Sequence, residues 1–256
     1  MKARKWLNGG FCLLLVLIVG ACATGEIVRK KERAQASREL GEAYMRQDAY
    51  TRALREFLKA EKIYPEDPFL HNDLGLAYMA KERYKKAIGH YKKALKLDPE
   101  FSPARNNLGV AYMENEDWDE AIECFKAVKD DLLYATPHFA ATNLGFICYH
   151  KGDYSRAEDY YKEALDLMPK FSKALYGLGQ VYLEQSRCDK AVKRLEEASG
   201  QAPQEARILL DLGKAYRCIH EYNKAYKTFK KAAAIGAGTD LEKKAREMAE
   251  AVWRFQ

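Results

Sequence analysis

The chain has 256 residues, 48% hydrophobic and 31% charged, with 43 basic against 37 acidic residues for a formal charge of +6. Lys2, Arg4 and Lys5 precede every acidic residue, so without that segment the balance is 40 against 37 and the charge about +3. Such a mixed, solvated surface argues against nucleic acid as a partner. No stretch after residue 22 is long and apolar enough to span a bilayer.

The N-terminal segment comes first in the chain. Met1 to Gly10 carries the three basic residues, Phe11 to Val19 is apolar throughout, and Gly20, Ala21 and Cys22 follow. A basic start, a short apolar core and small residues make the pattern of a secretory signal peptide. The ending Val19-Gly20-Ala21-Cys22 resembles a bacterial lipoprotein signal. That resemblance implies cleavage before Cys22 and acylation of its sulfur and amine; a plain signal peptide is the other reading. Several acyl chains anchor firmly, since each buried methylene contributes about 0.8 kcal/mol and one chain is marginal. Ala23 rather than Asp follows the cysteine, which by lipoprotein sorting implies an outer-membrane location facing the periplasm. Residues 1–21 are thus assigned to the signal and 22–34 to a charged tether containing Lys30-Lys31.

From residue 35 to 237 the chain repeats itself. Gly41, Gly75, Gly109, Gly145, Gly179 and Gly213 recur with steps of 34, 34, 36, 34 and 34 residues. Three residues after each stands Tyr44, Tyr78, Tyr112, Cys148, Tyr182 or Tyr216. Nine further come Ala53, Ala87, Ala121, Ala157, Ala191 and Ala225, and four beyond these Phe57, Tyr91, Phe125, Tyr161, Leu195 and Phe229. Pro65, Pro99, Pro169 and Pro203 close four of the six units. The pattern resembles the tetratricopeptide repeat. It predicts an all-α fold: a right-handed superhelical solenoid of six helix–turn–helix repeats, stable only through stacking. Small Gly and Ala let two antiparallel helices approach, the large residue fills the partner's groove, and proline stops the second helix. Residues 239–256 keep helical spacing through Leu241, Ala245, Met248, Ala249 and Val252 without the repeat signature, which predicts a terminal capping helix.

The residues that could carry chemistry are sparse. His71, His90, His138, His150 and His220 fall in no nucleophile motif, phosphate loop or metalloprotease helix. No Cys or His pair has ligand spacing, so neither a metal site nor a cofactor is expected, and no enzyme. Past Cys12 and Cys22, four cysteines remain. Cys188 stands where the other units carry Tyr50, Tyr84, Trp118, Tyr154 or Tyr222, an aromatic plugging the seam to the next repeat; Cys218 lies on the first helix of that next repeat. Two readings stand: a Cys188–Cys218 disulfide, with Cys124–Cys148 the weaker pair, or four small buried hydrophobes.

The binding surface follows from the repeat phase, because the first helices line the inner wall of such solenoids. Facing inward are Phe69, Asn72, Leu76 and Met79 in the second unit, and Asn106, Asn107, Val110 and Met113 in the third. The fourth contributes Phe139, Asn143, Phe146 and Tyr149, and the fifth Tyr176 and Leu183. The sixth turns basic with Arg207, Lys214 and Arg217. An apolar wall with a few amides suits an extended or helical peptide rather than a small-molecule substrate.

The 36-residue step places two extra residues in Lys129-Asp130-Asp131-Leu132-Leu133-Tyr134. Six repeats, a lipoprotein signal, a capping helix and this lengthened third unit resemble the type IV pilus pilotin family of PilF, PilW and Tgl. The resemblance implies an outer-membrane lipoprotein that helps a secretin subunit reach the membrane and multimerise. Rival readings are a periplasmic adaptor for cell-wall synthesis or polysaccharide export, and an enzyme accessory.

Overall fold

The computed structural model describes residues 4–129, 131 and 136–255, with side chains from residue 25 onward. The insert at 130 and 132–135 and the side chain of Cys22 lie outside the described residues. Thirteen helices and no strand occur among the described residues, and no helix among them is long and apolar enough to cross a membrane. Contacts divide the chain into two compact units, Met1–Glu116 and Asp117–Gln256.

The first unit holds α1 (Arg4–Met45), α2 (Tyr50–Ile63), α3 (Pro68–Met79), α4 (Tyr84–Leu97) and α5 (Ser102–Glu114). Residues 25–34, assigned above to a tether, continue α1, with Lys30 and Glu26 paired at 2.8 Å one turn apart and Ala34 buried. α1 packs on α2 and α3 on α4, and α5 lies against α4. The core is the repeat signature itself: Ala53, Phe57 and Ala60 of the first repeat and Ala87, Tyr91 and Ala94 of the second have no solvent exposure. The Phe57 and Tyr91 rings lie over Gly41 and Gly75, where an added Cβ would overlap them. Asp67 caps α3 by accepting from the Phe69 amide at 2.9 Å, and Pro68 occupies the first turn, where its missing N–H costs nothing.

The second unit holds α6 (Trp118–Lys129), α7 (Pro137–His150), α8 (Tyr154–Leu167), α9 (Ser172–Glu184), α10 (Cys188–Gln201), α11 (Ala206–Cys218), α12 (Tyr222–Ile235) and α13 (Asp240–Trp253). α7 pairs with α8, α9 with α10, α11 with α12, and α13 covers α12 through buried Ala245, Ala249 and Val252. Tyr161, Leu195 and Phe229 fill the columns beneath Gly145, Gly179 and Gly213, and an added Cβ at Gly179 would stand 2.6 Å from Leu195 Cγ. Cys188 and Cys218 form a disulfide that joins the start of α10 to the end of α11, with Cα atoms 6.0 Å apart. The Cys124–Cys148 pair is not bridged. The Cys188–Cys218 bridge takes the place that a ring contact holds two repeats earlier, where Trp118 stacks on His150 at 6.2 Å.

Between the two helices of each repeat one residue turns left-handed. It is Asp48, Glu82 and Glu116 in the first unit and Gly152, Ser186 and His220 in the second, with φ between 55° and 76°. Only Gly152 meets that conformation without steric cost.

Candidate protein-binding surfaces

Each unit presents a face built from its odd-numbered helices. In the first unit, Phe69 and Leu76 on α3 are 52% and 38% exposed. Asn72, Met79, Asn106, Asn107, Val110 and Met113 are half-buried beside them. Phe69 meets the edge of Phe101 at 4.9 Å and lies under the Arg38 guanidinium, 5.5 Å from its ring centre. Asn107 donates its side-chain amide to Asn72 Oδ1 at 2.9 Å, which ties α5 to α3. That bond engages one donor of Asn107 and the carbonyl of Asn72.

The charged end of that face gathers three carboxylates around one cation. Arg38 reaches Asp67 at 3.1 Å, Glu42 at 3.3 Å and Asp73 at 3.7 Å. Burial, reinforced by the Glu42 carboxylate, pushes the Asp73 carboxyl up to about 7 against the pull of Arg38.

In the second unit, Phe139 and Phe146 on α7 are exposed, and Asn143, Tyr149, Tyr176 and Leu183 are half-buried. Phe139 packs edge-on against Phe171 at 5.1 Å, and Phe146 lies 4.2 Å from the His150 ring. Tyr149 donates to Glu184 at 3.3 Å and adjoins Tyr154 at 5.6 Å. Burial, with Glu184 beside it, pushes the Tyr149 phenol up to about 12, so it stays a donor at neutral pH. Tyr149, Gln180, Leu183 and Glu184 line a cleft of about 330 Å³ that Lys214 and Arg217 close on the basic side.

The same cleft is lined by a largely buried carboxylate, Asp211, that the repeat phase alone does not single out. Asp211 accepts from Tyr176 at 2.8 Å, from the Gln180 amide at 3.2 Å and from Lys214 at 2.5 Å. Tyr176 thus supports the wall more than it faces a partner. The signal was present: Asp73, Asn107, Asn143 and Asp211 all stand two residues before a repeat glycine, a polar column of which only the two amides were singled out.

A second group escaped because its members come from three helices. Glu61 on α2, His71 on α3 and His90 on α4 bring potential metal-ligand atoms within 4.8 Å of one another. The expectation of no metal site rested on local spacing, which cannot reveal a group assembled across a repeat interface.

Comparison with known proteins places this geometry. Tetratricopeptide-repeat family models match residues 26–68, 75–116, 100–170 and 149–210. The chain is 32% identical over 111 residues to Hsp70-Hsp90 organizing protein 3 of Arabidopsis thaliana, covering 39% of this chain and 20% of that one. It is 34% identical over 88 residues to anaphase-promoting complex subunit 3 of Schizosaccharomyces pombe, covering 34% and 13%. The chain spans about a fifth or less of the length of these curated relatives. The solved structure of PilW, a widely conserved type IV pilus biogenesis factor, superposes with a TM-score of 0.75 at 21% identity, covering 86% of this chain and 98% of that one. PilF of Pseudomonas aeruginosa does so at 0.75 and 19%, covering 89% and 99%. Paired helices, the Gly/Ala/large-residue columns and these matches make the chain a member of the tetratricopeptide-repeat proteins, with the fold of PilW and PilF.

Proposed function

We propose that the chain is a non-catalytic protein-binding scaffold, a pilotin that holds a segment of a type IV pilus secretin and aids its localisation and multimerisation. The observation that carries this reading is the α7–α9 face. It sets exposed Phe139 and Phe146 and half-buried Tyr149 and Leu183 beside a cleft with a basic edge. Apolar anchors with a polar rim suit a peptide. The fold shared with PilW and PilF over nearly their whole length favours the pilus over other envelope machines. In the full reading, Cys22 carries the lipid that holds the protein at the periplasmic side of the outer membrane.

Replacing Phe139, Phe146 and Tyr149 together by alanine is expected to abolish secretin multimers while far-UV CD and Tm remain near wild type. Tyr176 is left intact because its loss would strip Asp211 of a donor. Normal multimers in a folded triple variant would sink the groove assignment. Cys22→Ser is expected to release the protein from the membrane fraction; unchanged fractionation would refute the anchor.

A further inference from the structure

His71 is fully buried, and its Nε2 lies 2.8 Å from the Pro65 carbonyl oxygen. A carbonyl only accepts, so Nε2 carries the proton and Nδ1 keeps its lone pair. That Nδ1 points at His90 Nδ1, 3.2 Å away, and at Glu61 Oε1, 3.9 Å away. Two imidazole nitrogens bound to one tetrahedral zinc at 2.0–2.1 Å stand about 3.3–3.4 Å apart. The nitrogens are therefore already spaced as two corners of a zinc tetrahedron, and Glu61, 3.9 Å from His71 Nδ1 in a group whose ligand atoms all lie within 4.8 Å of one another, moves inward to make the third. The backbone acceptor behind His71 is the supporting contact that fixes ring orientation in metal-bound histidines. On the other side, Tyr78 stacks on His90 at 5.3 Å and holds that ring in place.

We propose that Glu61, His71 and His90 bind a divalent transition metal of the zinc class, leaving one position for water. Two imidazoles and a carboxylate suit zinc and its nitrogen-preferring neighbours, not calcium or magnesium. The ligands come from α2, α3 and α4, so the ion staples the first repeat to the second. The group that opposes it is Lys93, whose ammonium lies 3.3 Å from the same Glu61 oxygen. Its side chain is 43% exposed, which lets it swing into solvent. Without metal, His90 Nδ1 donates its proton to His71 Nδ1. With metal, His90 takes the tautomer protonated at Nε2, and no net proton is lost.

The test uses the mature chain, chelator-treated and dialysed against zinc, with bound metal counted by mass spectrometry and cobalt(II) as the spectroscopic probe. One equivalent is expected, with the intense visible bands of tetrahedral cobalt and a Tm several degrees higher with zinc in excess than with chelator. His90→Gln is expected to lose the bound equivalent, and Lys93→Met to tighten binding several-fold by removing the competing ammonium. Should His90→Gln fold poorly, Lys93→Met still decides, because a plain histidine–histidine hydrogen bond gives it no metal affinity to improve. Absence of stoichiometric zinc, an equivalent retained in His90→Gln, a pale octahedral cobalt spectrum, or unchanged affinity in Lys93→Met would each overturn the site.

Discussion

The disulfide between Cys188 and Cys218 permits a quantitative test of how the repeats are joined. It closes a loop of 30 residues. Chain entropy lost from the unfolded state is about 2.1 + 1.5R ln n, roughly 12 cal/mol/K for that loop, or about 3.6 kcal/mol at 25 °C. Native contacts at the seam change little on reduction, since Cys188 stays buried at the start of α10. Replacing both cysteines by serine, or adding reductant, should therefore lower the stability of the second unit by about 3 kcal/mol, with entropy models tending to overstate the effect. Urea unfolding followed by far-UV CD is the assay, and the loss belongs to the transition of the α10–α11 segment, because stacked repeats are coupled chiefly to neighbours. A fall below about 1 kcal/mol would refute the bridge as a constraint on the unfolded chain. A second variant tests the phase equivalence. Trp118 and His150 hold the same repeat positions and make a stacked contact. Placing Trp at 188 and His at 218 should recover about 1 kcal/mol of the loss, the worth of an aromatic pair; no recovery would mean the two seams are not interchangeable.

Three further outcomes follow from single residues. Tyr91 buries a hydroxyl with no hydrogen-bond partner among the described residues, at a position that is Phe in three other repeats; Tyr91→Phe should raise stability by about 1 kcal/mol, and an unchanged or lower Tm would contradict this. Gly89 and Gly179 should answer alanine with opposite signs. The first is exposed in mid-helix with nothing near its Cβ position and gains up to about 1 kcal/mol. The second drives a Cβ into Leu195 and loses about 1–3 kcal/mol; like signs in thermal unfolding would undo the packing account. Burial works against the Glu158 charge, but Lys162 at 2.8 Å, Arg187 at 2.6 Å and Tyr182 at 3.1 Å more than offset it, and the carboxyl falls from 4.5 to about 2. Its contribution, on the order of 2–3 kcal/mol, is complete above the unfolded value and is lost as pH falls from about 4.5 towards 2. Glu158→Gln should flatten that acid limb in a stability–pH series, and a limb of unchanged slope would assign it to other groups.

The repeat was legible because it is written in side-chain volume. A ring over Gly75 or an isobutyl group over Gly179 needs no long-range information to be inferred, and the helix-opening residues Tyr50, Tyr84, Trp118, Tyr154, Cys188 and Tyr222 each begin a second helix. The left-handed turn was not legible, since Asp48, Glu82, Glu116, Ser186 and His220 carry no common chemistry that announces a positive φ; stacking on both sides imposes it. The wall was half legible. Its apolar members obey the phase, but what its polar members do depends on the neighbouring repeat. Asn107 pairs with Asn72, Asp211 with Tyr176 and Glu184 with Tyr149, every one at a separation of 35 residues. That is one more than the repeat, because each acceptor or donor meets the residue one phase earlier on the preceding unit's first helix. Such bonds lock successive first helices together and leave little of Asn72, Asn107 or Tyr176 for a partner. In the proposed role the contacts to a partner fall to the apolar groups, Phe69 and Leu76 in the first unit and Phe139, Phe146, Leu183 and the ring of Tyr149 in the second. The polar contacts tie each first helix to the next, and the apolar stripe beside them is the part of each wall that the proposed role uses.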